Sequence, residues 1–189
     1  LRLVLERVAR LKVGDGMEAG VDVGPLVSAD AVSGVAELVE DAVRRGAVVL
    51  HGGSKAALPP GLEKGSFYPP TVLTGVTDDM RLAREEIFGP IIPLYQFDTD
   101  EEVIRRANDT EYGLSAYVYS QNVERVTRVA RKIQAGIVGM NEMRPLRAEV
   151  PFGGLKMSGV GREGGMEGLM EFLEARAFGL RIPGKPAAG

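Results

Sequence analysis

Glu85-Glu86-Ile87-Phe88-Gly89-Pro90 is the segment of this sequence best equipped for ligand chemistry. A carboxylate can accept hydrogen bonds from both hydroxyls of a ribose, and a phenylalanine beside it can pack against a planar ring. Consecutive residues on a helix diverge by about 100°, so Glu85 and Glu86 cannot act as one acid/base pair. One of them can be held for a ligand while the other lies on the surface. Asp78 or Asp79 is placed to cap a short helix through Met80, Leu82 and Ala83 that ends near Glu86. Two carboxylates at a helix C-terminus oppose the macrodipole, so a solvated helix end stands as an equal alternative.

Other motif-like stretches lack the context their chemistry needs. Gly159-Val160-Gly161-Arg162-Glu163-Gly164 spells G-x-G-x-x-G, yet a glycine-rich stretch precedes it where a strand should be. The last acidic residue of the chain is Glu174, too close to serve as the ribose partner about 20 positions on. A structural glycine loop is the better reading. Gly179, Gly184 and Lys185 have P-loop spacing, but Pro186 stands where Ser or Thr must hold magnesium. His51, before Gly52-Gly53, reads as a strand-end histidine with a solvated tip. The acidic run Asp98-Thr99-Asp100-Glu101-Glu102 complements the dipole of a starting helix and needs no metal.

Composition prunes further. The 189 residues, 44% hydrophobic and 26% charged, suit one globular domain of ordinary size. With 23 basic against 26 acidic residues the net charge is −3, so a basic footprint for nucleic acid is missing. There is no cysteine and one histidine, which excludes disulfides, thiolate zinc sites and a cysteine nucleophile within the chain. No stretch approaches the roughly 20 apolar residues of a membrane-spanning helix. The expected compartment is the cytoplasm, and Asn108-Asp109-Thr110 is then a chance sequon.

The elements that must position these residues follow from periodicity. Leu1, Val4, Leu5, Val8 and Leu11 share a helical face with no cap before them, as in a chain cut inside a helix. Ser28 caps a second helix with Val32, Val35, Ala36, Val39, Ala42 and Val43 inside, closed by Gly46. Ala47-Val48-Val49-Leu50 is a short strand, residues 54–70 are irregular, and residues 71–76 are extended. Residues 91–97 form a strand with Pro93 hinting at an edge or bulge. Thr99 and Glu102 make a capping box for the next helix. A strand at 115–119, a helix capped by Ser120 or Asn122, and a strand at 137–140 complete a strand–helix–strand unit. Seven glycines crowd residues 151–168, a short helix follows, and residues 175–182 read as a terminal strand before a frayed tail. The fold class is α/β, a mostly parallel sheet with helices on both faces, plus that C-terminal strand.

Read in order, three elements resemble the aldehyde dehydrogenase superfamily. Glu85-Glu86-Ile87-Phe88-Gly89-Pro90 is similar to its E-x-F-G-P element, and Asn108 with Tyr112-Gly113-Leu114 to its N-x-x-x-Y-G-L element. Pro151-Phe152-Gly153-Gly154-Leu155-Lys156-Met157-Ser158-Gly159 is similar to its P-F-G-G-x-K-x-S-G loop. The resemblance spans essentially the whole chain and implies the C-terminal segment of a longer enzyme. Residues 1–170 would belong to the catalytic domain and 171–189 to a terminal oligomerisation strand that pairs subunits of a homo-oligomer. The cofactor domain, the nucleophilic cysteine and the glutamate base would lie outside, leaving no catalytic residue here and no activity for the chain alone. The intact enzyme would oxidise an aldehyde with NAD or NADP. The alternative is a non-catalytic module that only pairs with partner subunits.

Residue by residue, the resemblance assigns Glu86 to the nicotinamide ribose, Phe88 to the nicotinamide ring and Phe152 to the aldehyde pocket. Val23 stands where some members place a glutamine against the cofactor. Gly136-Ile137-Val138-Gly139-Met140-Asn141-Glu142 is most similar to the succinate-semialdehyde branch, but Leu146 falls where that branch uses a serine on the substrate carboxylate. Arg144 and Arg147 flank it in the loop that shapes the family's pocket mouth, and arginine suits bidentate carboxylate recognition. Glu142 and Glu149 could instead pair with them on the surface.

Overall fold

The computed structural model describes residues 1–181, 183 and 184. The chain forms two compact units, Leu1–Phe97 and Asp98–Gly189.

In the first unit α1 (Arg2–Val8) is followed by α2 (Ala29–Arg44). Ser28 Oγ accepts the Ala31 N–H at 3.1 Å, which satisfies one of the orphan donors at the start of α2. The inward face of α2 carries Val32, Val35, Leu38, Val39 and Ala42, buried against Tyr68, Leu73, Met80 and Leu82. Each buried valine or leucine contributes roughly 1.5–3 kcal/mol, so this helix is the platform of the unit. Beside it lie β1 (Val48–His51), β2 (Thr71–Thr74) and β3 (Ile91–Pro93), with β2 in the centre. β2 runs antiparallel to β1 and parallel to β3, and Thr71, Val72 and Leu73 are fully buried. A bulge between Val49 and His51 interrupts the β1 register. β3 is shorter than the 91–97 strand expected: Pro93 has no N–H to give, and Leu94 N makes the final bond, to Leu73 O, at 2.9 Å.

The second unit carries α3 (Asp100–Asn108), β4 (Tyr112–Gly113), β5 (Ser115–Val118), α4 (Val123–Ala130), β6 (Ile137–Met140), β7 (Leu155–Lys156) and α5 (Gly165–Met170). Thr99 caps α3 by accepting the Glu102 N–H at 3.1 Å, while the Glu102 carboxylate reaches back to the Asp98 N–H at 3.0 Å. Asn122 rather than Ser120 caps α4, accepting the Arg125 N–H at 2.9 Å. β5 and β6 pair in parallel with α4 between them in sequence, and β4 pairs antiparallel with β7. Asp100, nearly buried, binds Arg125 Nε and Nη2 at 2.8 and 2.6 Å and also takes a bond from Arg128, tying α3 to α4.

The α/β class therefore stands, with two corrections. Strand pairing among the described residues is mixed: three small sheets contain two parallel and two antiparallel pairs instead of one mostly parallel sheet. Residues 175–181 join no strand pair among the described residues, and Ile182 lies outside them. A strand is defined by its partner's hydrogen bonds, and apolar alternation alone does not supply one.

Candidate functional site

The segment carrying Glu86 and Phe88 is not the end of a helix. Asp79 does not cap it; its carboxylate takes bonds from the Thr77 hydroxyl and from Arg45. Only a single 3-10 turn forms, Arg81–Ala83, and the chain then runs irregularly to β3. Glu85 folds back onto that turn, its carboxylate bridged by Arg81 Nε at 2.7 Å and Nη2 at 2.8 Å. This two-pronged bond holds the Glu85 carboxyl below its ordinary range. Glu86 is the opposite case. It is exposed, and among the described residues its carboxylate makes no hydrogen bond or ion pair. Phe88 sits at φ +49° with 79% of its surface exposed. A bulky residue in the left-handed region costs on the order of 1–3 kcal/mol, and such strain gathers where a ligand is gripped. A free carboxylate can accept hydrogen bonds from ligand hydroxyls, and a projecting ring can pack against a planar group.

In the second unit the polar residues of the remaining motifs fasten backbone. Asn108 Nδ2 donates to Lys132 O at 2.8 Å, and its Oδ1 accepts from Gln134 N at 2.8 Å. Lys156 Nζ donates to the carbonyls of Asn108 and Thr110 at 2.8 and 2.9 Å, placing a cation at the C-terminus of α3. Ser158 Oγ accepts the Gly113 N–H at 2.9 Å. Arg162 Nη1 donates to the carbonyls of Gly154 and Gly161 at 3.0 and 2.7 Å. These four roles were missed in the sequence. The two-residue strands β4 and β7 that bring Asn108 and Lys156 together are too short to show a period.

The glycine-rich segment packs closely on itself. Gly153 and Gly154 are packed so closely that a Cβ would meet the Gly161 oxygen at 2.3 Å and the Ser158 backbone at 2.4 Å. Phe152 is half-buried and exchanges two backbone bonds of 2.7 Å with Glu163. Its side of the loop lines an open hollow of about 400 Å³ with Leu114, Ser158, Arg162 and Glu171.

Arg144, Leu146 and Arg147 all lie on the exposed loop between β6 and Pro151. Arg147 Nη1 donates to the carbonyls of Arg144 and Leu146 at 2.6 and 2.8 Å, so its guanidinium is folded onto its own loop. Neither arginine forms the surface ion pair with Glu142 or Glu149 that their spacing allowed; Glu142 instead accepts the Arg144 N–H at 2.7 Å. Ala148 O takes the Gly165 N–H at 2.9 Å, next to the Glu163 that pairs with Phe152. One turn thus steadies both the arginine loop and Phe152, whereas Glu86 and Phe88 belong to the other unit.

Residues 1–178 match the aldehyde dehydrogenase family. A probable NADP(+) succinate-semialdehyde dehydrogenase of Sinorhizobium fredii is 46% identical over 171 residues, 90% of this chain and 34% of that protein. A glutarate-semialdehyde dehydrogenase of Pseudomonas putida is 44% identical over 175 residues, 93% of this chain and 35% of its own length. Among solved structures, an oxidoreductase from Marinobacter aquaeolei superposes with a TM-score of 0.86 at 45% identity, covering 93% of this chain and 36% of that one. The chain spans about a third of the length of the relatives it matches.

Proposed function

The chain belongs to the aldehyde dehydrogenase family, and from that premise we propose that it supplies the C-terminal segment of an NAD(P)-dependent enzyme that oxidises a carboxylated aldehyde to the acid. The observation that carries the reading is the Glu86 and Phe88 pair: an unbonded carboxylate next to a ring pushed outward by a left-handed backbone. Glu86 accepts the ribose hydroxyls, and Phe88 limits where the nicotinamide ring can lie. The bound cofactor supplies hydride acceptance. Phe152 walls the aldehyde side, and Arg144, Arg147 and Leu146 stand at the mouth through which a substrate carboxylate enters. The family names at 44–46% identity, both semialdehyde dehydrogenases, support an acidic aldehyde.

The chain has no cysteine, so the nucleophile comes from elsewhere in the enzyme. Residues 1–170 contribute to the catalytic domain, and 171–189 to subunit pairing. Phe172, Phe178 and Leu180, each more than four-fifths exposed, support that last role. Among the described residues no helix is long and apolar enough to cross a membrane, and we place the enzyme in the cytoplasm. The test is aldehyde-dependent NAD(P)H formation by the full-length enzyme, with this chain alone as the inactive control. Turnover by the isolated chain, or none by the full-length protein with any carboxylated aldehyde, refutes the proposal.

A further inference from the structure

Glu86 and Phe88 lie on a stretch without regular structure, yet Phe88 keeps a strained φ, so something outside the stretch must hold it. That support is α2. Its Asp41 is a carboxylate only 6% exposed, with no part in the ligand chemistry described above. One Asp41 oxygen accepts the backbone N–H of Arg81 at 3.2 Å, at the start of the 3-10 turn, and the other accepts Arg45 Nε at 3.2 Å. Arg45 reaches on to the Asp79 carbonyl at 3.3 Å, so the residues entering the turn are tied to α2 twice. Arg81 passes the anchorage forward by clamping Glu85, the residue before Glu86. The far end meets the same helix. A Cβ on Gly89 would lie 2.6 Å from Val35 Cγ2, and Ile87 packs against the core that α2 builds.

We propose that Asp41 is a positioning residue for cofactor binding: it anchors, through the Arg81 backbone and the Arg81–Glu85 bridge, the segment that presents Glu86 and Phe88. The inference rests on the reading of Glu86 as the ribose ligand. Burial opposes the charge on Asp41, but the Arg81 N–H and the Arg45 guanidinium outweigh it and keep the carboxyl below its ordinary range.

The test uses the full-length enzyme and the dissociation constant of NAD(P)+, measured by titration calorimetry without aldehyde. Asp41→Ala is expected to weaken binding about tenfold, the scale of one lost bond to a charged group, with the aldehyde KM unchanged. Asp41→Asn keeps one acceptor and should weaken binding less in the same direction, and it carries the test should Asp41→Ala fail to fold. In a Glu86→Gln background, Asp41→Ala should add less than about twofold, since both act through one contact. Normal cofactor binding by Glu86→Gln would overturn the reading of Glu86. A Glu86→Gln defect with no Asp41 effect, or two defects that simply multiply, would overturn the positioning role alone.

Discussion

Gly136 lies with its bare Cα against the backbone of Gly153: a Cβ there would come within 1.7 Å of the Gly153 carbonyl oxygen. The same glycine donates its N–H to Gly113 O at 3.0 Å, so three segments meet at one point: β4, the entry to β6 and the start of the glycine loop. A carbonyl oxygen cannot rotate away as a side-chain end can. Gly136→Ala must therefore push the loop that carries Phe152 off the sheet. We expect a loss of about 3 kcal/mol, at the upper end of overpacking penalties, read by urea unfolding of the full-length protein. Stability equal to the parent would show that the two backbones separate freely.

Glu86→Gln should damage cofactor binding and spare the fold. The amide retains the size but loses the charge and one acceptor, so roughly 1–3 kcal/mol of cofactor binding or hydride-transfer efficiency should go. The melting temperature should hold, because among the described residues the Glu86 carboxylate supports nothing else. A variant that binds and reduces NAD(P)+ normally but melts earlier would make Glu86 a structural residue.

The helices could be read from the sequence because their signals are local. Ser28, Thr99 and Asn122 each accept the N–H three residues on, as their positions before apolar-periodic stretches implied. The parallel β5–β6 pair was legible too, since α4 between them forces a crossover. What escaped was decided by distant partners. β1 runs antiparallel to β2 across a 19-residue irregular connection, which no pattern within either strand could announce. The helix expected before Glu86 does not form: Met80, not Asp78 or Asp79, stands at the head of the single 3-10 turn without a side-chain cap, and Asp79 binds Thr77 and Arg45 instead. Glu86, Phe88 and Phe152 could be picked out by motif. Asn108, Lys156 and Ser158 act on carbonyls and amides 24 to 48 residues away, and Arg162 on the carbonyl 8 residues back, so only the fold reveals them.

Asp100 should make stability fall in acid. The two Arg125 bonds lower its folded-state pKa, with burial opposing and Arg128 assisting. In the unfolded chain the same carboxyl returns to its ordinary value of 3.8. The unfolded state thus binds the proton first as pH falls. The contribution is complete above the ordinary value and is lost as pH drops through the lower, folded one. Asp100→Asn should flatten the stability–pH curve below the ordinary carboxyl value of 3.8 and lower the plateau at neutral pH. Parallel curves for parent and variant across that window would mean that the pair contributes no pH-dependent stability.

The arginine loop yields an asymmetric prediction about substrate. Arg147 already spends donors on the carbonyls of Arg144 and Leu146, so its replacement chiefly loosens the loop. The Arg144 side chain makes no such bond among the described residues and is the one free to meet a carboxylate. A guanidinium–carboxylate contact is selective because the neutral analogue forfeits both prongs of the bond. If Leu146 between them walls the pocket, as proposed, ω-carboxyl aldehydes longer than succinate semialdehyde should be the better substrates. In a panel of carboxylated and neutral aldehydes, Arg144→Ala should raise KM for the acids about tenfold relative to the neutral compounds, the scale of one charged hydrogen bond. Arg147→Ala should shift both classes together and lower the melting temperature. If neither variant separates acidic from neutral aldehydes, the two arginines are surface residues and the acid-aldehyde reading fails.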